Sequence, residues 1–320
     1  MRRSQRTGLI FFAAIVAAAL DCSAQGYPSK PIRYIVPTSP GGVNDTSARV
    51  MAPKLSTALA VPVIVENRPP NQVGTAIAAK AAPDGYTILN ALDNHPLTQF
   101  LLRDIPYDAV KDFAGVSMVF RAPLIAAVPP DLGIKDLQQF ISYAKSKAGA
   151  VSYASPGAGT SGHLASELFK STTGIEMQAV QFKGAAPATL AVLGGHAQFI
   201  MATFGTLLPH ARSGKLVALG VTSPQRAPQL PNVPTIADTY AGYEVQTWGG
   251  IAVPAGTPVD IVRRLNAEVV KAVALPDVKK VFEEQGYEVV GSTPDYFDKW
   301  LAHESAKWSR VIRERGIKLD

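Results

Sequence analysis

Two loops hold the residues best suited to chemistry. Pro37-Thr38-Ser39-Pro40-Gly41-Gly42-Val43-Asn44-Asp45 follows a β-branched run and precedes a helical pattern. Its prolines fix the chain, while Gly41 and Gly42 leave backbone N–H groups bare at a helix start. Unpaired amides at the positive end of a helix dipole make an anion site. Asp45 reads as a helix cap rather than a ligand group. Ser155-Pro156-Gly157-Ala158-Gly159-Thr160-Ser161-Gly162-His163 stands in an equivalent place between strand and helix. Here Gly157-x-Gly159-x-x-Gly162 matches the dinucleotide fingerprint, which also needs a carboxylate about 20 residues further on to hold a ribose. The next strand ends in Gln181-Phe182-Lys183, so the nucleotide is set aside and the anion site is kept. A carboxylate needs several converging donors to replace its water. Two such loops could each hold one end of a ligand, or both could close on one carboxylate.

Enzymatic chemistry finds less support. His95, His163, His196, His210 and His303 stand alone, without the HxxxH or HxH spacing of a metal site. No G-x-S-x-G elbow exists, since Gly159-Thr160-Ser161-Gly162-His163 departs from it at the last position. Ser161 and His163 are two apart on a helix and point away from one another, which disfavours a Ser–His relay. His163 reads as a helix-start or cleft residue. No catalytic residue, metal or cofactor is expected.

The elements that position these loops alternate. Strand patterns at Ile32–Val36, Val63–Glu66 and Thr87–Leu89 are spaced by helical patterns from Asp45 to Leu59 and Gly74 to Ala82. After Pro123 the alternation restarts with Leu124–Val128, a helix from Leu137 to Ala148, Val151–Ala154 and a helix from Ser161 to Thr172. Further strands are expected at Ala179–Phe182, Gln198–Met201, Val217–Val221 and Tyr287–Val290. Thr257-Pro258 and Thr293-Pro294 each read as a capping threonine with proline at the first helical position. Strands spaced by helices imply an α/β fold with mainly parallel sheets covered on both faces. The restart near Pro123, with Gly250–Val253 as a return crossing, implies two lobes. Residues 25–123 and 245–320 would form the first lobe and 124–244 an inserted second one, joined by a two-crossing hinge.

The first residues address the chain elsewhere. Arg2, Arg3 and Arg6 precede an apolar run from Gly8 to Leu20, and Cys22-Ser23-Ala24 supplies small residues for cleavage near Ala24. That is a secretory signal over residues 1–24, too short to span a bilayer of ~30 Å, rather than a membrane anchor. Cys22 raises an acylated-lipoprotein reading, which the charged Asp21 before it opposes. Cys22 is also the one cysteine of the sequence, so a chain cleaved after Ala24 has no disulfide and no thiolate chemistry. Without the leader, 28 basic side chains face 24 acidic ones, a net charge of +4 against +6 for the whole sequence. The basic residues are scattered, with no stripe interleaved with aromatics, so nucleic-acid binding is not expected. A hydrophobic fraction of 47% in 320 residues is ample for two cores.

With these features in hand, the sequence resembles the tripartite tricarboxylate transporter substrate-binding proteins, the Bug-type extracytoplasmic solute receptors. The resemblance runs over the chain beyond the leader. It is carried by Tyr27-Pro28-Ser29-Lys30-Pro31-Ile32, Pro40-Gly41-Gly42 with Asp45 and Arg49, and Val65-Glu66-Asn67-Arg68-Pro69. Ala82-Pro83-Asp84-Gly85-Tyr86-Thr87, Pro106-Tyr107-Asp108, Tyr153-Ala154-Ser155, Lys183-Gly184, Gly214-Lys215-Leu216 and Pro254-Ala255-Gly256-Thr257-Pro258 continue it in order. It implies a periplasmic binding protein fold that closes like a flytrap on a small carboxylate, in the periplasm, as a monomer. The implied ligand groups are Ser39, Pro40, Gly41, Gly42 and Asn44 in one lobe and Ser155, Gly157, Gly159, Thr160, Ser161 and His163 in the other, with Thr203 and Phe204. The implied partner is a two-component membrane permease; a membrane sensor is the alternative.

Departures from the family pattern bear on the ligand. Thr38 replaces a bulky aromatic, and Pro70-Asn71-Gln72-Val73 replaces a loop of glycines and an asparagine. Many relatives carry an acid near Ala202 and an amide at Thr203; Ala202 cannot hold a ligand amine. An amino acid is therefore disfavoured, and the expected ligand is a small carboxylate, either a di- or tricarboxylate or an acid with an apolar or aromatic body. Phe204 is either an apolar wall or core, and Trp248 either hinge packing or cleft wall.

Overall fold

The computed structural model describes residues 26–41 and 43–317. The leader, the expected cleavage near Ala24 and Gly42 lie outside the described residues. Elements are numbered in chain order. β1 (Ile32–Val36), α1 (Val43–Leu59), β2 (Val63–Asn67), α2 (Asn71–Ala79), β3 (Thr87–Leu92) and the single turn α3 (Thr98–Leu101) open the fold. The long β4 (Phe113–Val128) leads to α4 (Leu137–Ser146), β5 (Ser152–Ser155), α5 (Ser161–Thr173) and β6 (Gln178–Gln181). Then come α6 (Ala185–Leu193), β7 (Phe199–Thr203), α7 (Phe204–Arg212), β8 (Val217–Val221) and β9 (Gln246–Pro254). The chain closes with α8 (Val259–Val273), α9 (Pro276–Glu284), β10 (Glu288–Val289) and α10 (Pro294–Arg315).

The strands of the described residues form one curled, mixed sheet in the order β2-β1-β3-β9-β4-β7-β5-β6, with β8 and β10 also paired to β4. Each end of that order is parallel, β1 with β2 and β3, β5 with β6 and β7. The centre is antiparallel, because β4 and β9 run against their neighbours. The fold is α/β, as the alternation implies, and the antiparallel centre is what the pattern of short strands did not disclose.

β4 joins the two halves of the sheet. Phe113 to Pro123 pairs with β9, and Leu124 to Ala127 pairs with β7. Pro123, which lacks an N–H, stands where the ladder changes partner, a place where a missing donor costs little. The strands meet again at Thr222, a fully buried residue. Its hydroxyl donates to Val245 O at 2.6 Å and accepts from Leu124 N–H at 2.7 Å. One side chain thereby ties β4 to the segment that leads into β9.

Four apolar clusters fill the layers. Around β1–β3 and α8 lie Ile32, Tyr34, Met51, Leu55, Phe120 and Leu265. Beneath β4, β5 and β7 lie Phe140, Tyr153, Phe169, Phe199 and Tyr243, and this second cluster also takes Trp308, Val311 and Ile312 from the end of α10. The start of α10 belongs elsewhere: Phe297 and Leu301 pack with Ile35, Leu89, Met118 and Trp248. Thus α10 is anchored in both halves. Thr293 caps it, accepting from Tyr296 N–H with Pro294 at the first position, as expected. Thr257 does not cap α8. Its hydroxyl donates to Pro254 O at 2.7 Å, and Pro258 itself occupies the cap position.

Candidate ligand-binding cleft

In a parallel sheet the strand-to-helix junctions gather at the carboxyl ends of the strands, and ligands bind outside those ends. Here they surround a cavity of about 620 Å³ between the two halves of the sheet. Val43 opens α1, Asn71 and Gln72 open α2, Ser161 and Gly162 open α5, Ala185 opens α6, and Thr203 and Thr206 belong to the start of α7; all line the cavity. Leu92, Leu101, Leu102 and Tyr287 supply apolar wall. Among the described lining residues none is lysine, arginine or histidine, and one, Asp93, carries a carboxyl group. Positive potential in this cavity therefore comes from helix dipoles and amides.

The second loop is the better presented. Gly159, Thr160 and Ser161 line the cavity. Thr160 caps α5: its hydroxyl accepts from His163 N–H at 3.4 Å and donates to Gly157 O at 2.7 Å. His163 is buried, and burial pushes its imidazole below the ordinary histidine range, so the ring is neutral. Its Nδ1 accepts from Gly159 N–H at 3.2 Å, which makes it a brace of the loop. Gly157 N–H donates to the buried Ser155 hydroxyl at 3.3 Å. Ser161 and Gly162, the first two residues of α5, line the cavity, and no hydrogen bond from their amides to another described residue is seen. The third glycine of the fingerprint has its own reason: a Cβ at Gly162 would collide with the Met201 carbonyl of β7. Close helix–strand packing, with no nucleotide, accounts for this third glycine.

The first loop is turned inward. Asp45 is buried and accepts from Gly41 N–H at 3.0 Å, from Arg49 Nε at 2.9 Å and from Asn67 Nδ2 at 2.9 Å. The Arg49 hydrogen bond, with those of Gly41 and Asn67, holds its carboxyl below the usual carboxylate range. The Gly41 amide, expected to be bare, is thus occupied. Ser39, Pro40 and Gly41 do not line the cavity, and of this loop Val43 does. Asn44 is buried, and neither of its side-chain polar atoms has a partner among the described residues, while its backbone carbonyl accepts from Asn90 Nδ2 at 2.6 Å.

Two open choices resolve to packing. Phe204 is 1% exposed in a cluster with Ile125, Ala202, Leu207 and Val221, so it is core and forms no wall of the cavity. Trp248 is fully buried edge-on to Phe297, at 5.5 Å between ring centres. Sequence reasoning missed Asn71, Asp93, Asn94, Thr98, Ala185, Thr206, Thr247 and Tyr287, all in the lining. Most lie at the end of a strand or the start of a helix; extending the search from two glycine-rich junctions to every junction would have found them. Asp93 matters most, because it corrects the inference drawn from Ala202: the cleft does hold an acid. Burial pushes that acid up to about 6, with Glu304 adding to the rise and the Thr247 and Ser161 hydroxyls and the Asn94 amide opposing it.

The description "Tripartite tricarboxylate transporter family receptor" matches residues 47–317. The chain belongs to this family. BugT of Bordetella pertussis is 36% identical over 313 residues, covering 96% of both chains. Among solved structures, Rhodopseudomonas palustris Rpa4515 with adipate is 30% identical over 92% of this chain and all of its own, with a TM-score of 0.75. MatC of the same organism, with bound malate, is 28% identical over 89% of this chain and all of its own, at 0.72. The family is one of solute-binding receptors with the periplasmic binding protein fold, so the receptor is not an enzyme. No helix of the described residues is long and apolar enough to cross a membrane.

Proposed function

We propose that this receptor captures a small carboxylate outside the cytoplasm and delivers it to a membrane permease of the tripartite tricarboxylate type. One observation carries the reading: the described cavity is ringed by helix starts, free amides and hydroxyls and contains no basic side chain. Such a site suits one carboxylate, which replaces its water with fixed donors. The Ser161 and Gly162 amides and the Thr203 and Thr206 hydroxyls, 3.2 Å apart, are the proposed grip. The orphan amide of Asn44 is proposed to gain a partner when the cleft closes, since a buried unpaired amide is costly. Residues 1–24 act as the export leader, and segments 25–123 with 245–320 and 124–244 move as the two lobes. Rpa4515 with adipate and MatC with malate are the solved relatives that support an acidic ligand.

A thermal-shift screen of the purified protein tests it. Ligand at ~100 times its dissociation constant adds about 2.7 kcal/mol of stability. The expected result is a shift with one or more small carboxylates. Shifts with sugars or amines alone, and none with any carboxylate, would overturn the reading.

A further inference from the structure

Asp93 follows β3 at the meeting of five elements. Its N–H donates to Trp248 O of β9 at 3.1 Å, which fixes the backbone. Asp93 lines the cavity and is half-buried as a residue. Around it stand the Thr247 hydroxyl of β9, the Ser161 hydroxyl at the start of α5, the Asn94 amide, the Tyr287 phenol and, further off, Glu304 of α10. Glu304 is itself satisfied, accepting from Trp308 Nε1 at 2.8 Å and pairing with Lys307. The groups facing Asp93 are thus hydroxyls, an amide and one distant carboxylate, with no basic residue in the cavity lining among those described.

An acid in such a place discriminates. A second carboxylate brought beside it repels it, and low local dielectric strengthens the repulsion. A hydroxyl or ammonium in the same position adds a further donor to those of Thr247, Ser161 and Asn94 and replaces lost water. We propose that Asp93 is the specificity residue of the cleft: ionised, it refuses a second carboxylate on the ligand and accepts a hydrogen bond from a hydroxyl or ammonium there. The preferred ligand is therefore a monocarboxylate with a donor at its far end, and a dicarboxylate enters when one proton is shared between it and Asp93. This rests on the carboxylate-receptor reading and names its ligand class.

The test uses matched acids at two lengths: butanoate and hexanoate, their ω-hydroxy and ω-amino derivatives, and succinate and adipate. Affinities are measured by calorimetry at pH 8 and pH 5 for the wild-type protein, Asp93→Asn and Asp93→Ser. At pH 8 the wild type is expected to prefer a hydroxy or amino acid over the diacid of equal length by roughly tenfold or more. Both variants should lose that preference and bind the diacid better. The wild type's diacid affinity should fall between pH 5 and pH 8 more steeply than either variant's. A better hydroxy acid than amino acid would identify the donor as neutral, and the reverse as cationic; either supports the assignment. Unchanged selectivity and pH dependence in both folded variants would overturn it and leave the receptor reading intact. No binding by any of these acids, or by the wider carboxylate screen, would overturn both.

Discussion

The loops Pro37–Asp45 and Ser155–His163 are composed alike and used differently. Both are rich in proline, glycine and hydroxyl residues, and both run from a strand into a helix. In the first, a buried acid gathers donors from the loop and from its neighbours: Asp45 takes the Gly41 amide, Arg49 and Asn67. In the second the internal acceptors are neutral groups, namely the His163 ring, the Ser155 hydroxyl and the Gly157 carbonyl. The Ser161 and Gly162 amides are left for the cavity. Composition therefore tells that a loop offers donors, while the nearest acid decides whether they are spent inside the fold.

The largest effect is expected at Gly162. Gly162→Val drives a branched side chain into the Met201 carbonyl and the Pro156 ring, lifting α5 from β7. Overpacking at a tight contact of this kind costs about 3 kcal/mol, readable as a lower denaturation midpoint, with ligand-induced stabilisation lost. A protein of normal stability and binding would mean the second loop is not held by this contact.

A matched pair sharpens the contrast. Gly41 (φ +91°) and Gly159 (φ +76°) both lie in the left-handed region, so alanine at either costs about 1–2 kcal/mol. Equal losses of stability are expected, but only Gly159→Ala should weaken carboxylate binding, by roughly tenfold. Equal weakening by Gly41→Ala would restore the first loop to the site.

The smallest effect is in the pH dependence of the ligand-free protein. Burial raises Asp93 from 3.8 to about 6, so the stability it contributes is present at low pH and lost as pH rises across that interval. His95, two residues on, is lowered by burial from 6.5 to about 4, and its contribution is lost as pH falls across the same range. The two slopes oppose each other. Asp93→Asn should therefore gain stability over the wild type progressively from pH 4 to pH 6, by about 1 kcal/mol once solvent access from the cavity is allowed for. Urea titrations at several pH values measure it; a parallel pair of profiles would show that Asp93 is not perturbed.

Much of the fold could be read along the chain where one element obeys one rule. The helix at Ser161 begins one residue after its capping threonine, and that at Pro294 likewise. Strands β1 and β8 lie where their β-branched residues place them. Legibility failed where tertiary packing overrides local preference. β9 carries Gly249 and Gly250, poor strand formers, because the rings of Phe120 and Phe297 press on its backbone. The first part of β4 was hidden by Pro123, which reads as a break but marks a change of partner. α6 and α7 contain Pro187 and Pro209. In the site, the glycine-rich loops announced themselves, whereas Asp93 sits in an unremarked Leu-Asp-Asn-His-Pro stretch. Its role arises from Thr247, Ser161 and Tyr287, none near it in sequence.

The 22-residue α10, about 33 Å long at 1.5 Å per residue, is rooted at one end beside Trp248 and at the other beside Phe169. Asp298 accepts from Gly115 N–H at 2.6 Å near its start, and Lys307 donates to Glu244 O at 3.1 Å near its end. In the two-lobe motion proposed above, a rod pinned to both halves would limit how far they part. Opening would have to bend it, slide it or tear one end free, each with its own stiffness. On that proposal the aperture of the cleft is set in the tail of the chain as well, far from any atom a ligand would touch.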